Sequence, residues 1–298
     1  MIKVSVITDE ISQDFARALD VALAERVRHV ELRTLWEKNV VQLSDDEVEK
    51  ARACLRERGM KVVAIAGPFF KCFLNNQYRR DSGDTFGYAS DQSIEQHFDI
   101  LDRCFHLAKA FGTDLVRTFA FWRAGPPTQE VYELIARHIG EATRRTEQAG
   151  LRLALENEHA CFIGTAAESV EALTRVSSPS LGLIWDPGNA ACIDPPASVF
   201  PHGYELVKNA VGMERIFHMH LKDPVTSGGR GTRFTQFGDG ELDYRGQFEA
   251  LVRDGYQGAV SMETHWRGEG LTPEESTVRS LRGFWRIVKE AGLEAHFE

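Results

Sequence analysis

The chain has 298 residues, of which 43% are hydrophobic and 27% are charged, and this is the composition of an ordinary globular protein. Its formal net charge is −9, so its overall field repels a phosphate backbone and we expect no nucleic-acid partner. The sequence contains no run of 18 apolar residues and no basic-then-apolar leader, so we expect no membrane partner and a cytoplasmic location. The five cysteines are scattered and lack CxxC spacing, which is typical of reduced thiols.

Short apolar runs alternate with longer amphipathic segments along the whole chain. Eight runs have the length and composition of buried strands, at 3–8, 29–33, 61–66, 114–119, 151–156, 181–186, 216–222 and 258–263. Amphipathic patterns predict helices at 14–25, 45–58, 92–111, 129–148, 165–175, 244–253 and 273–291. Ser44 with Glu47, and Thr272 with Glu275, have the spacing of capping boxes at helix starts.

The alternation of strands and helices predicts the fold. Strands followed by helix-forming sequence are typical of a parallel sheet with crossover helices. Eight such units in a chain of 298 residues match the length of a closed barrel. We therefore predict an α/β fold, a single (β/α)8 TIM barrel that forms one domain over residues 1–298. A doubly wound open sheet is the alternative, but the GxGxxG loop that commonly follows its first strand is absent here.

Two predicted connections are longer than the others. Residues 67–90 follow the third strand, and residues 223–243 follow the seventh. In a barrel both connections lie on the face where active sites form. Long loops on that face commonly act as lids or binding loops.

Four consecutive predicted strands end in a side chain that can bind a metal ion. These side chains are Glu156, Asp186, His220 and Glu263. Because the carboxyl ends of barrel strands meet at one rim, we expect the four to converge. Three carboxylates and one imidazole suit a single divalent ion, Mn²⁺, Mg²⁺, Co²⁺ or Zn²⁺, which also relieves the repulsion among the carboxylates. The alternative is that they are unrelated polar residues at strand ends.

The strand ends also carry a family resemblance. The segments "LALENEH", "LIWDPGNA", "FHMHLKD" and "SMETHW" resemble the metal-bearing strand ends of the xylose-isomerase-like barrel superfamily, in its sugar (phosphate) isomerase/epimerase branch. The similarity extends from "ITDEI" at the first strand to the last helix. It implies that Glu156, Asp186, His220 and Glu263 bind the metal, and that Glu156 and Glu263 also carry protons. His218, two residues before His220, is predicted to be a structural residue of the core.

The resemblance implies a divalent-metal-dependent isomerase or epimerase of a small sugar, ketose or polyol derivative. Such an enzyme transfers a proton through a metal-stabilised enediolate. A metal-dependent dehydratase of the inosose or dehydroshikimate type is the alternative on the same site, and a non-catalytic sugar-binding barrel is a further one. The zinc AP-endonuclease branch of the fold fits poorly, because it requires more histidines and a basic groove. Members are often dimers or tetramers, so a homo-oligomer fits the resemblance.

The resemblance and the positions of polar residues after strands also predict substrate contacts. His159 is expected to bind a substrate hydroxyl or to hold Glu156. Lys222 is expected to neutralise an enediolate or a substrate carboxylate, or else to form a structural salt bridge. Several relatives have a substrate-touching histidine where this chain has Asn189. The predicted substrate-binding residues are His159, Asn189, Lys222, Arg233, Lys71 and Trp122.

Overall fold

The computed structural model describes residues 1–79, 88–226 and 232–298. Eight parallel strands form its centre. They are β1 Lys3–Ile7, β2 His29–Leu32, β3 Lys61–Ile65, β4 Leu115–Thr118, β5 Arg152–Glu156, β6 Leu181–Trp185, β7 Ile216–Leu221 and β8 Ala259–Met262.

The strands close into a barrel in chain order. Each strand pairs with the next, and β1 pairs with both β2 and β8. The register shifts at two points, between Val30 and Glu31 on β2 and between Leu183 and Ile184 on β6. The predicted (β/α)8 barrel is therefore confirmed.

In the described ranges, eight longer helices cover the barrel. They are α1 Phe15–Ala24, α2 Asp45–Glu57, α3 Ile94–Phe111, α4 Gln129–Gln148, α5 Ala166–Thr174, α6 Tyr204–Val211, α7 Tyr244–Arg253 and α8 Pro273–Glu290. The predicted capping boxes at Ser44 and Thr272 are both present. The α6 helix and two shorter helical segments before it, Pro187–Ala190 and Ser198–Gly203, were not predicted.

Short elements fill the connections between strands and helices. One antiparallel hairpin joins Thr34–Leu35 to Lys38–Asn39, and another joins Asp223–Thr226 to Thr232–Thr235. Single 3-10 turns lie at Thr8–Glu10, Val40–Gln42, Asn76–Tyr78, Met213–Arg215 and Glu294–His296. Residues 80–87 and 227–231 of the two predicted long loops lie outside the described residues. Within the described ranges, no helix has both the length and the apolar character needed to cross a membrane.

The strands are buried on both faces, because helices cover the outside of the barrel and side chains fill its interior. Every residue of β6 and β7 is buried, which explains why these strands have continuous apolar runs rather than an alternating pattern. A few buried charged residues interrupt this apolar interior, among them Glu31, Glu156 and His220. They mark the part of the barrel where the candidate site lies.

Candidate metal centre and its surroundings

The four predicted ligands converge at the carboxyl ends of consecutive strands. Glu156 ends β5, Asp186 follows β6, His220 lies near the end of β7, and Glu263 follows β8. One donor atom of each lies within 4.8 Å of the donor atoms of the other three. The His220 Nδ1 atom lies 3.3 Å from Glu156 Oε1, 3.6 Å from Glu263 Oε2 and 3.7 Å from Asp186 Oδ2. All four residues are at most 3% exposed.

Local sequence positions Asp186 within this cluster. Asp186 is the N-cap of the short helical segment Pro187–Ala190, and its Oδ1 accepts the backbone N–H of Asn189 at 2.7 Å. Pro187 suits the first position of such a segment, because its fixed φ is helical and it needs no N–H partner there. Asp186 therefore keeps Oδ2 directed at the other donors, 3.1 Å from the side-chain amide of Asn189.

Glu31 orients the imidazole of His220, and sequence reasoning missed this residue. The His220 Nε2 atom lies 3.1 Å from a Glu31 oxygen, and His218 Nε2 lies 2.9 Å from the same oxygen. Burial favours the neutral acid, but the charges of His220 and His218 outweigh it and hold the pKa of Glu31 well below its usual range. The Nε2–H of His220 thus donates to Glu31 and leaves Nδ1 for a metal. The one available signal was an acid inside the apolar strand "HVELR".

Buried cations lie against three of the four donors. The Lys222 Nζ atom lies 2.7 Å from Asp186 Oδ2 and also contacts Glu263 Oε2. The Arg117 guanidinium donates to Glu156 Oε2 at 3.0 Å. Burial opposes the charged form of Lys222, but Asp186 and Glu263 raise its pKa well above the usual range. A metal ion at this centre must therefore share Asp186 and Glu263 with a charged ammonium group.

Arg33, just after β2, joins three strand ends. Its Nη2 donates to Asp9 Oδ2 at 2.8 Å and to Glu10 Oε1 at 2.6 Å, both in the turn that follows β1. Its Nη1 donates to Glu263 Oε1 at 2.7 Å. His265 Nε2 lies 3.2 Å from the same Glu263 oxygen. The carboxylate of Glu263 is thus held by Arg33, which follows β2, and by His265, which follows β8.

The donor set fits a divalent metal ion. It offers three carboxylate oxygens and an imidazole Nδ1 whose opposite nitrogen is already bonded to a carboxylate, the arrangement that protein metal sites commonly use. Two other groups also come within 4.8 Å, Glu31 with His218 and His220, and Glu10 with Glu263 and His265. In the first group the imidazoles bond directly to Glu31. In the second, Arg33 bonds to both acids and already supplies a cation.

Asn189 and His159 lie next to the predicted ligands. The side-chain amide of Asn189 donates to Glu156 Oε1 at 3.3 Å and to Asp186 Oδ2 at 3.1 Å. Its Oδ1 faces His159, whose Nδ1 lies 3.1 Å away. The same His159 nitrogen lies 2.9 Å from Glu158 Oε1. Glu158 therefore orders the ring of His159.

Lys71 and Trp122 lie on the far side of Glu158. The Lys71 Nζ atom lies 3.5 Å from Glu158 Oε2 and rests over the rings of Phe119 and Trp122, 4.6 and 5.4 Å from their centroids. Trp122 is 3% exposed and packs with Phe119 and Cys161. Its ring thus supports Lys71 from within the protein rather than presenting an open apolar wall.

Arg233 is not brought to the donor cluster. It is an exposed residue of the Thr232–Thr235 strand, where it pairs with Val225. The next residue, Phe234, places its ring 5.1 Å from that of His265 and 6.0 Å from the Nζ atom of Lys222. Because successive residues of a strand point to opposite faces, Arg233 faces away from these groups. Phe234 is the residue of this hairpin that sequence reasoning missed.

Residues 19–287 match the family model of the xylose isomerase-like TIM barrel. The chain belongs to this family. The match includes all four predicted ligands and extends from within α1 to within α8, so the resemblance read from four strand ends holds for most of the chain.

Similar sequences come from proteins that act on sugars and polyols. The proposed L-ribulose-5-phosphate 3-epimerase SgbU of Escherichia coli is 27% identical over 219 residues, which are 70% of this chain and 71% of the relative. An inosose dehydratase of Lactiplantibacillus plantarum is 26% identical over 152 residues, which are 46% of this chain and 47% of the relative. The match thus spans less than half the length of this dehydratase.

Solved structures share the fold. An IOLI protein with a bound zinc atom superposes with a TM-score of 0.74 at 20% identity, covering 97% of this chain and 99% of that one. A xylose isomerase-like barrel from Mycobacterium smegmatis, in complex with magnesium, gives 0.68 at 17% identity, covering 93% and 89%. An L-ribulose 3-epimerase gives 0.71 at 15% identity, covering 99% and 97%. Zinc and magnesium are therefore both found in structures with this fold.

Proposed function

We propose that the protein is a divalent-metal-dependent isomerase or epimerase of a small sugar, ketose or polyol derivative. The observation that carries this proposal is the convergence of Glu156, Asp186, Glu263 and the Nδ1 of His220, all buried, within 4.8 Å of one another. A bound divalent ion makes the C–H next to a carbonyl more acidic, because it stabilises negative charge on the oxygen. The epimerase and dehydratase relatives both fit chemistry that begins at such a carbon.

Glu156 and Glu263 are the proton carriers in this proposal. They come from β5 and β8, with two strands between them in the barrel, so they approach a bound substrate from different sides. Burial alone favours their neutral acids. For Glu156, His220 and Arg117 reverse this effect and lower the pKa, and for Glu263, Lys222 and His265 hold the pKa well below its usual range. Both side chains are thus carboxylates at neutral pH, ready to accept a proton from carbon.

The charges around the centre favour a substrate without a phosphate group. Arg33, Arg117 and Lys222 each bond to a buried carboxylate. A phosphate would have to take one of these cations from its carboxylate partner, and breaking a buried ion pair is costly. Within the described part of the chain, these three cations are therefore committed to the protein, and we favour a neutral ketose or a keto-polyol.

The test is isotope exchange in D₂O with the Mn²⁺-loaded protein and a panel of ketoses and inososes, followed by ¹H NMR. The wild-type protein should remove the signal of the C–H next to the carbonyl. Each of Glu156→Gln and Glu263→Gln should slow this exchange by about 10²–10⁴-fold, the usual contribution of a positioned acid or base. The exposed Glu57→Gln variant is the matched control and should behave like the wild type.

The contrary result is also defined. Exchange that persists at the same rate after the metal is removed with a chelator, or in both glutamine variants, contradicts the proposal. A phosphorylated ketose in the same panel tests the substrate class, because it should exchange more slowly than its unphosphorylated counterpart.

A dehydratase on the same site is the second candidate. Loss of water requires a proton donor for the departing hydroxyl group as well as a base at carbon. The side-chain amide of Asn189 contacts His159 as well as Glu156 and Asp186. This position of His159 close to the candidate metal centre supports the dehydratase.

A further inference from the structure

A cavity of about 1030 Å³ lies at the amino-terminal ends of the strands, opposite the candidate metal centre. The wall of this amino-end cavity includes the first residue of seven of the eight strands, β1 to β5, β7 and β8. Part of the wall is apolar, because Leu115 and Phe217 belong to a small cluster inside the barrel. The volume is at the upper end of the range that is common for small-molecule sites, about 300–1,000 Å³.

Three basic residues begin the first three strands and face this cavity. Lys3, His29 and Lys61 all line it. Each is followed by a valine that packs in the same apolar cluster as the buried residues of the helices, so alternation along the strand directs the basic side chains into the barrel. His29 pairs in register with Lys61 on β3 and with Ser5 on β1, two residues after Lys3. The three basic groups therefore come from adjacent strands, which lie about 4.8 Å apart.

The two lysines differ from the other cation of this wall in having no close carboxylate. Arg152 donates to both oxygens of Asp114, at 2.8 and 2.9 Å. Among the residues that the structure describes, no carboxylate oxygen lies within 4.0 Å of the Nζ atom of Lys3 or of Lys61. An anion that enters the cavity can therefore bind both ammonium groups without breaking an ion pair of the protein.

The surroundings of His29 place both ammonium groups near its ring. Burial lowers the pKa of His29, the charge of Glu298 opposes this effect, and the charges of the two lysines add to it. Two other acids of the wall, Glu214 and Asp254, precede β7 and β8 rather than β1 to β3. The positive charge is thus concentrated on the side of the cavity that β1, β2 and β3 form.

The wall also contains a buried nitrogen without a hydrogen-bond partner. His218 lines the cavity and is 1% exposed. Its Nε2 lies 2.9 Å from both Glu31 Oε2 and Ser261 Oγ, but its Nδ1 has no partner within the described residues, whereas buried polar atoms nearly always have one. His218 pairs in register with Ala259, which pairs with Lys3. The ring therefore lies level with Lys3, two strands away.

We propose that the amino-end cavity binds a small polyhydroxy anion, whose charged group lies between Lys3 and Lys61 and whose hydroxyl group bonds to Nδ1 of His218. A hydroxyl group can donate or accept a hydrogen bond, so it can pair with this nitrogen as either partner. Ala259, between Lys3 and His218 in register, has a small side chain that leaves room for the ligand. Sugar acids and sugar phosphates share this chemistry. The proposal does not depend on the proposed function, because it uses none of the four predicted metal ligands.

The experiment is isothermal titration of the Mn²⁺-loaded protein with probes that separate charge from hydroxyl groups. D-gluconate carries both, acetate carries only the charge, and sorbitol carries only the hydroxyl groups. Gluconate should bind at least about 5-fold more tightly than either, the effect of one additional hydrogen bond. D-glucose 6-phosphate, titrated in parallel, shows whether the phosphate or the carboxylate is the better charged group.

Two variants locate the bound probe. A double variant with Lys3→Gln and Lys61→Gln should weaken gluconate binding by about 5–10-fold, because two exposed charge contacts are lost. His218→Gln should weaken it by about 5-fold, because glutamine can keep the bond to Glu31 but has no atom in place of Nδ1. The exposed Lys289→Gln variant is the matched control and should bind gluconate like the wild type. Thermal unfolding checks that each variant folds.

The contrary results are specific to this cavity. The proposal is overturned if neither gluconate nor glucose 6-phosphate binds more tightly than acetate and sorbitol, or if the lysine double variant binds them as the wild type does. Gluconate binding should also persist in the metal-free protein after dialysis, and binding that is lost with the metal belongs to the candidate metal centre and overturns the proposal too. None of these results bears on isotope exchange by Glu156 and Glu263, so the proposed function stands or falls separately.

Discussion

Glu31 and His220 show how one buried residue orients another in the candidate metal centre. His220 has two nitrogens, and only the one without a proton can bind a cation. Since Glu31 accepts a hydrogen bond from Nε2, Nδ1 is the nitrogen that faces Glu156, Asp186 and Glu263. A residue of β2 thus orients the imidazole of a residue on β7.

Replacement of Glu31 should weaken metal binding without removing a ligand. Glu31→Ala removes the acceptor that fixes His220, and we expect about 10–100-fold weaker Mn²⁺ binding, the usual effect of losing such a partner. Isothermal titration measures it. The milder Glu31→Gln keeps an acceptor oxygen and should lose less affinity. Unchanged affinity in Glu31→Ala would show that the strand backbone alone orients His220.

Lys222 should stabilise the metal-free protein. Its ammonium group contacts Asp186 and Glu263, so Lys222→Met leaves two buried carboxylates with less compensation. Loss of one partner of a buried ion pair commonly costs about 3–5 kcal/mol. We expect Lys222→Met to unfold at a lower temperature than the wild type in EDTA, and to gain more stability than the wild type when Mn²⁺ is added.

The exposed Lys289→Met variant is the control for this comparison. An equal gain from Mn²⁺ in Lys222→Met and in the wild type would mean that the ammonium group and the metal do not share the two carboxylates.

The sequence predicted some site residues better than others, for reasons that differ residue by residue. Glu156 and Asp186 were visible because each ends an apolar strand, where a charge is conspicuous. Glu31 was not, because an acid inside a strand has no sequence signal for its buried histidine partners. Arg233 was placed on the correct loop, but the face to which a hairpin side chain points depends on pairing register, which the loop sequence does not specify.

At the level of elements, helices were predictable where capping and periodicity agreed. The Ser44 and Thr272 capping boxes mark the starts of α2 and α8 as expected. The α6 helix was missed because it has only eight residues and follows directly on Pro201 and Gly203, which favour a loop interpretation. Tertiary packing rather than intrinsic propensity explains a helix this short.

Gly188, in the short helical segment after Asp186, packs closely against Lys222. A Cβ atom at Gly188 would collide with Lys222 Cγ and lie 2.7 Å from the Lys222 carbonyl oxygen. Gly188→Ala should therefore destabilise the protein by about 1–3 kcal/mol, the usual cost of overpacking, and displace Lys222. Urea unfolding measures the first effect.

Gly140 is the matched control, because it lies within α4 with no atom within 4 Å of an added Cβ. Gly140→Ala should raise the free energy of unfolding by about 0.5–1 kcal/mol, since alanine favours a helix interior. A Gly188→Ala variant as stable as the wild type would show that the Pro187–Ala190 segment shifts freely.

At the scale of the whole molecule, the closed barrel was predictable from the count and spacing of its strands. Eight apolar runs separated by helical patterns leave little choice of architecture in a chain of 298 residues. The course of the loops after β3 and β7 was not predictable, because loops are shaped by contacts with distant parts of the chain. The Asp223–Thr226 hairpin illustrates this limit, since its partner strand begins only at Thr232.

Asp223 should make global stability depend on pH. Burial raises the pKa of its carboxyl to about 6, although the N–H groups of Gly238 and Gly240 oppose this effect. The pKa in the unfolded chain is about 3.9, so the folded state binds the proton more tightly. The stability that this proton contributes is present below about pH 4 and is lost as the pH rises to about 6. The loss amounts to roughly 3 kcal/mol if the whole shift is realised.

Comparison with Asp223→Asn isolates this contribution. The difference in free energy of unfolding, wild type minus variant, should fall as pH rises through that window and stay level above it. A constant difference from pH 4 to pH 7 would show that the Asp223 carboxyl is not perturbed in the folded protein. Urea titrations at several pH values supply the measurement.

The Arg33 cluster has a consequence for how such a protein can diversify. It ties the ends of β1, β2 and β8 together through one guanidinium group, so Glu263 is anchored to groups at the ends of β1 and β2. Under the proposed function, the loops after β3 and β7 can then be exchanged by grafting or directed evolution while this anchor of Glu263 stays in place.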